Sequence, residues 1–104
     1  MIRYVSEGAA TAGGEPVWAA GDDGEYVRLD TRTDLRNHSP TGFSWGYGGS
    51  GPAQLALAMT AHATDDETAV EHYQAVKREL VAPADDDEPL EVTSEEIEAV
   101  IDDA

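Results

Sequence analysis

The chain contains no cysteine and only one lysine among its 104 residues. The absence of cysteine excludes disulfide bonds and thiolate metal sites. No run of about 18 apolar residues occurs, so the sequence predicts no membrane-spanning helix. The first residues, MIRYVSEG, contain no apolar segment of the kind found in secretory signal peptides, and we therefore expect a cytoplasmic protein.

Positive charge is scarce and negative charge is abundant. The chain carries 22 Asp and Glu residues against 6 Lys and Arg residues, for a formal net charge of −16. Without a basic patch, direct binding to nucleic acid is not expected. Acidic charge keeps a protein soluble where salt is molar and the Debye length is about 3 Å, so the composition favours a salt-adapted microbe. Alternatively, the acids imitate the phosphate backbone of DNA and occupy a nucleic-acid-binding partner.

A chain of this length is predicted to form a single domain, residues 1–104. Hydrophobic residues make up 40% of the chain, which is enough for one modest core. Composition divides the domain into four parts. Residues 1–30 are rich in strands, and residues 41–82 contain a glycine segment and two helices. Residues 83–89 form an acidic linker, and residues 90–104 form a C-terminal strand and helix.

Short strands are predicted where apolar and polar residues alternate between turn residues. Residues 2–6 and 26–29 alternate, and residues 17–20 form a short apolar run. Residues 43–45 and 90–92 are also expected to be extended. With the helices described next, this pattern predicts an α+β fold in which a small antiparallel sheet packs against two or three helices.

The segment that begins at Pro52 reads PAQLALAMTAHA and has almost no polar face. Proline is favoured at the first position of a helix, since its missing N–H would have no partner there. We therefore predict that Gly51 is the N-cap and that Gln54 reaches back to it, as in a capping box. A helix that is apolar nearly all round is a buried one, so this helix is predicted to lie at the centre of the fold.

Two further helix starts carry capping-box patterns, Thr-Asp-Asp-Glu at residues 64–67 and Thr-Ser-Glu-Glu at residues 93–96. In the helix that starts at residues 64–67, apolar residues recur at helical spacing up to Val81, and Pro83 ends the pattern. The second helix has a single apolar stripe, formed by Ile97, Val100 and Ile101.

Residues 43–51 read FSWGYGGSG and admit two interpretations. Glycine N–H groups and a helix N-terminus can bind an anion, with the aromatic rings stacked on a base or a sugar. Alternatively, the glycines only permit a sharp turn into a buried helix, and at least one of Gly48 and Gly49 is then expected at positive φ. The candidate ligand-binding residues are Arg36, His38, Trp45, Tyr47, Gly48, Gly49, Ser50 and Gly51.

The sequence assigns no catalytic or metal-binding residues. His38 and Ser39 are neighbours, but the nucleophile motif G-x-S-x-G fails because Pro52 takes the place of its last glycine. The three histidines fall on a loop and on two different predicted helices, and the acids at residues 85–88 lack the spacing of a calcium loop. We expect no cofactor and no enzymatic activity.

Residues 34–57 read DLRNHSPTGFSWGYGGSGPAQLAL, and this block resembles the signature of the family called domain of unknown function 6166. The resemblance extends over roughly residues 26–101, with a tyrosine and a basic residue of the following helix at Tyr73 and at Lys77 or Arg78. That family occurs in bacteria, phages and haloarchaea. Because its function is unknown, the resemblance implies no activity.

Three functions are compatible with these observations. The leading one is a small non-enzymatic binding or interaction module with a protein partner, in a salt-adapted microbe or in its virus or mobile element. The second is a small-ligand or anion-binding domain, with or without enzymatic activity, that uses residues 45–51. The third is an acidic mimic of nucleic acid. No membrane partner is expected, and the sequence does not predict the oligomeric state.

Overall fold

A computed structural model describes residues 1–10, 14–39 and 42–103. Residues 11–13, 40, 41 and 104, some of them within the predicted segments 1–30, 41–82 and 90–104, lie outside the described part. The described residues form strands, α-helices and one π-helical turn in the order β1 Arg3–Ala9, β2 Val17–Ala20, β3 Tyr26–Arg28, α1 Ser50–Ala63, α2 Asp66–Val76, the π-turn Lys77–Val81, β4 Pro89–Thr93 and α3 Ser94–Asp102.

The strands form one antiparallel sheet in the order β3-β2-β1-β4. Strands β1 and β2 pair with Val5 opposite Trp18, and β4 pairs with the other edge of β1. Alternate residues of a strand point to opposite sides of a sheet. Tyr4 therefore faces the core, where it is fully buried, and Val5 faces the other side. The predicted α+β fold with a small antiparallel sheet is confirmed.

Helix α1 is buried on every side, since 11 of its 14 residues are buried. It packs against the inner side of the sheet, where Tyr4 Oη lies 2.9 Å from His62 Nδ1. Its other sides meet α2, the π-turn and α3. The central position predicted from its apolar sequence is confirmed. In the part of the chain that the structure describes, neither α1 nor any other helix is long and apolar enough to cross a membrane.

The start of α1 differs from the prediction. The N-cap is Gly49, with φ −108° and ψ −163°, and the helix begins at Ser50. Gly51 and Pro52 are thus the second and third helical residues. A proline there still removes no hydrogen bond, because the first four N–H groups of a helix have no internal acceptor. Glycine before proline also lacks the Cβ that contributes to the usual clash in helical conformation. Gln54 does not cap the helix.

The other two helix starts lie at or next to the predicted residues. Asp65 caps α2 in place of Thr64. Thr64 instead ends α1, because its N–H and its hydroxyl both donate to Thr60 O. Thr93 caps α3 in a complete capping box with Glu96, as predicted.

Candidate functional site

The side chain of Gln54 is fully buried and holds the loop that precedes the glycine segment. Its Oε1 accepts hydrogen bonds from the backbone N–H groups of His38, at 2.8 Å, and Ser39, at 3.0 Å. Its Nε2 donates to the backbone carbonyls of Thr31, at 2.5 Å, and Arg36, at 3.1 Å. A carboxamide has two N–H groups and two acceptor lone pairs. All four are used, which fixes the orientation of the amide.

Residues 31–39 contain no helix or strand, so their backbone polar groups need partners outside regular secondary structure. Gln54 supplies four of these partners from the interior. Gln54 lies one turn inside α1, so the loop is held by a side chain within the helix and not by the N-terminal cap that the sequence predicted.

The same loop is attached to α2 at two points. His38 Nε2 lies 2.7 Å from Tyr73 Oη. Arg32 donates to Asp34 at 3.0 Å and to Asp66 at 2.9 Å. The pKa of Asp34 is lowered from its usual value, mainly by the hydrogen bonds from Arg32. His38, which the sequence offered as a ligand-binding residue, is thus engaged inside the fold.

The glycine segment is anchored from both ends. Residues 43–45, predicted to be extended, form only an isolated bridge between Glu15 and Phe43. Trp45 is fully buried, and its indole N–H donates to Glu88 O at 3.1 Å. Ser44 Oγ lies 2.8 Å from Tyr47 Oη, so the tyrosine ring folds back over the segment.

Two glycines of this segment are required by close approach. Gly46 has φ +91°, and a Cβ there would lie 2.5 Å from Asp86 Cβ and 3.0 Å from Ala84 O. A Cβ on Gly51 would overlap Ser44 Oγ. The expectation of a positive φ at Gly48 or Gly49 is wrong, because Gly46 takes the left-handed conformation and completes the turn before either of them.

The structure brings only some of the candidate ligand-binding residues together. Tyr47 lies against Gly49 and Gly51, and Gly48 is open to solvent. Trp45 points into the core, and Arg36 donates to Leu35 O. No hydrogen bond or ion pair among the described residues joins Arg36 or the ring of His38 to residues 45–51. The binding of a ligand at these residues stays a prediction.

The histidines do not converge on one point. The ring of His38 meets Tyr73, and that of His62 meets Tyr4 in a T-shaped contact with centroids 5.5 Å apart. The carboxylates of Asp85, Asp86 and Asp87 lie within 4.8 Å of one another and are exposed. Asp85 Oδ1 accepts from Asp87 N at 2.9 Å, which is the hydrogen bond of an ordinary acidic turn.

A surface that the sequence analysis did not single out lies on the side of the sheet away from α1. We call it the outer face and define it by residues that point outward from the four strands, Arg3, Val5, Glu7, Trp18, Tyr26, Arg28 and Glu91. Among the described residues no helix covers it, since α2 and α3 both pack around α1 on the inner side. A shallow groove of about 350 Å³ runs beside Trp18. The alternation in β1 and β3 is the sequence signal that could have identified it.

The fold is thus a small α+β domain in which one buried helix separates a sheet from further helices. The chain belongs to DUF6166, a family of unknown function, whose model matches residues 6–103. The resemblance seen in the sequence is confirmed. No curated protein and no solved structure matches the chain, so its function is not known from relatives.

Replacement of Gln54 tests its role as the support of residues 31–39. Gln54→Ala should lower the free energy of unfolding by at least about 2 kcal/mol, because it leaves two N–H groups and two carbonyls without partners. Gln54→Glu keeps the acceptors but turns a carboxylate towards two carbonyls, which raises its pKa in the folded state. Glutamate in the unfolded chain has a pKa of about 4.3, and below that pH the side chain is protonated in the folded protein too. The loss of unfolding free energy, relative to the unmodified protein, should therefore grow as the pH rises above about 4.3.

The measurement is urea denaturation of each variant and of the unmodified protein at several pH values. Gln74, exposed on α2, provides the matched control through Gln74→Ala and Gln74→Glu. A loss of stability at Gln54 no larger than at Gln74 would contradict the proposed role.

Alanine substitutions separate the glycines that the turn requires from those it does not. Gly46→Ala and Gly51→Ala should each lower the melting temperature, the first through its φ of +91° and the contact with Asp86, the second through overlap with Ser44. Gly48→Ala should leave it unchanged or raise it slightly, since no atom lies within 4 Å of the added Cβ. Thermal melts followed by circular dichroism decide the matter, and equal effects at all three positions would refute this account.

Proposed function

We propose that the protein is a non-enzymatic interaction module and that the outer face is its binding surface. The observation that carries this proposal is the uncovered sheet, on which Trp18 and Tyr26 lie beside Arg3 and Arg28. Aromatic residues and arginine are enriched at protein interfaces. Tyr26 is 56% exposed and lies at the groove beside Trp18, so its ring is available for contact with a partner.

The state of the glycine segment supports the same proposal. Its aromatic and polar side chains are hydrogen-bonded within the fold, through Trp45, Ser44 and Tyr47. No buried side-chain nitrogen or oxygen in the described ranges lacks a hydrogen-bond partner. A site prepared for a ligand would leave such groups directed at the ligand, so the segment is better explained as a turn that places α1.

We also propose that the protein works in the concentrated salt of a salt-adapted microbe, in its cytoplasm, or in the virus or mobile element of such a microbe. Only four of the 22 acids lie within 4 Å of an arginine or of the N-terminal ammonium group in the part of the chain that is described. The remaining acids repel one another unless salt screens them. An acidic mimic of DNA would carry similar charge, but it must stay folded at low salt.

Photocrosslinking compares the outer face with the glycine segment. A benzoylphenylalanine placed at Tyr26 should form crosslinks to a protein in an extract of the cells that encode this chain. The same group at Tyr47 should form none. The two tyrosines are a matched pair, since they are 56% and 51% exposed. The crosslinking is carried out in molar KCl, and the products are identified by mass spectrometry. Crosslinks from position 47 alone would favour the ligand-binding alternative, and none from either position would overturn the proposal.

A salt series tests the proposed environment. The melting temperature should fall markedly below about 0.1 M KCl, where the Debye length exceeds about 10 Å and the exposed acids repel one another. Chlorides of sodium, potassium and tetramethylammonium should restore it equally at equal ionic strength, because the effect is screening and not site binding. A melting temperature that is flat from millimolar to molar salt would instead favour the mimic.

A further inference from the structure

We propose that the outer face binds a second copy of this chain, so that two sheets pack face to face about a two-fold axis parallel to their strands. This inference rests on the proposed function, since it names the partner of the same surface. It follows from the order of charged and apolar side chains across the sheet.

One row of the outer face runs across all four strands with opposite charges at its ends. Arg28 pairs with Trp18, Trp18 with Val5, and Val5 with Glu91. Neighbouring strands lie about 4.8 Å apart, so the row leads from a cation through two apolar side chains to an anion. In the described part of the chain Arg28 has no ion-pair partner, and Glu91 has only a 3.7 Å contact with Arg3.

A two-fold axis that is parallel to the strands and lies between β1 and β2 reverses this row in the second copy. Arg28 of each copy then faces Glu91 of the other, and Trp18 and Val5 face one another between the two ion pairs. An axis perpendicular to the strands and passing through this row would instead oppose Arg28 to Arg28 and Glu91 to Glu91. The axis parallel to the strands is the one that pairs the two opposite charges of this row. Stacked sheets keep their strands within about 30° of each other, an offset that long side chains can span.

The neighbouring row fits the same axis. It consists of Tyr26, Ala20, Arg3 and Thr93 in successive strands. Reversal places the small Ala20 opposite Arg3 of the other copy, and Tyr26 opposite Thr93. Ala20 is small, uncharged and only 2% exposed, so Arg3 meets no opposing charge there, and no acid meets an acid in either row.

Charge also explains why this side of the molecule is the one that a second copy can approach. The seven residues that define the outer face carry two positive and two negative charges, whereas the whole chain carries a formal net charge of −16. Because this face is neutral on a strongly acidic molecule, two copies can approach each other there with less repulsion. The face spans four strands of about five residues, on the order of 300 Å² per copy, against about 800 Å² in a standard interface. The dimer is therefore weak and reversible.

Sedimentation equilibrium of the purified protein, from about 10 μM to about 1 mM, tests the proposal. Salt of about 0.5 M KCl screens the repulsion between distant acids and leaves contacting pairs less affected. The unmodified chain should dimerise. Arg28→Glu and Glu91→Arg should each weaken the association about tenfold or more, because each turns both symmetric attractions into repulsions.

Mixing the two single variants provides the decisive measurement. Arg28→Glu presents only acids at the ends of the row, and Glu91→Arg presents only cations. An equimolar mixture should therefore form heterodimers at least as well as the unmodified chain forms dimers. Arg78→Glu and Glu71→Arg, which make the same charge changes on exposed helix positions, serve as controls and should dimerise normally.

Two results would overturn the inference. One is a chain that remains monomeric at about 1 mM, and the other is a mixture of Arg28→Glu and Glu91→Arg that does not associate although both variants give folded circular dichroism spectra. If the chain is monomeric but a crosslinker at Tyr26 still captures a different protein, this inference fails and the proposed function stands. If neither experiment detects binding, both fail.

Discussion

A buried carboxamide in a largely apolar helix joins the core of the molecule to the loop at residues 31–39. Gln54 lies on the most buried helix of the molecule, and its carboxamide makes all four of the hydrogen bonds that it can make. An unpaired carboxamide at this depth would oppose folding, and so would the unpaired backbone of residues 31–39. The buried carboxamide and the backbone of residues 31–39 satisfy each other's hydrogen-bonding groups, so neither is left unpaired. The loop then brings His38 to Tyr73 and Arg32 to Asp66, which joins the first half of the chain to α2.

Local patterns predicted the elements well and their long-range partners poorly. The burial of α1 follows from its composition, and the capping box at Thr93 and Glu96 from four adjacent residues. Gln54 was interpreted as a cap because that is the local role of a glutamine in a first turn. Its real partners lie 15 to 23 positions away in a loop without periodicity. No pattern within a short window contains that relation.

The glycine segment shows the same limit at atomic scale. Its sequence predicts that a sharp turn precedes α1, but not which glycine takes the left-handed conformation. Asp86 and Ala84 pack against Gly46 from a segment about forty residues further along the chain, and they leave no space for a Cβ there. The two tryptophans differ for a similar reason. Trp45 is enclosed by tertiary contacts, whereas Trp18 lies on the side of the sheet that the described helices leave uncovered.

The position of β4 has a consequence for folding of the chain during its synthesis on the ribosome. Strand β1 begins at Arg3, and its second neighbour in the sheet begins only at Pro89. Contacts between such distant residues slow folding, because a long loop must close before they form. During synthesis β1 and β2 can pair early, yet one edge of β1 remains open until residues 89–93 emerge. The nascent chain therefore passes through a stage with an unpaired strand edge, which the acidic charge of the chain protects from association with other nascent chains.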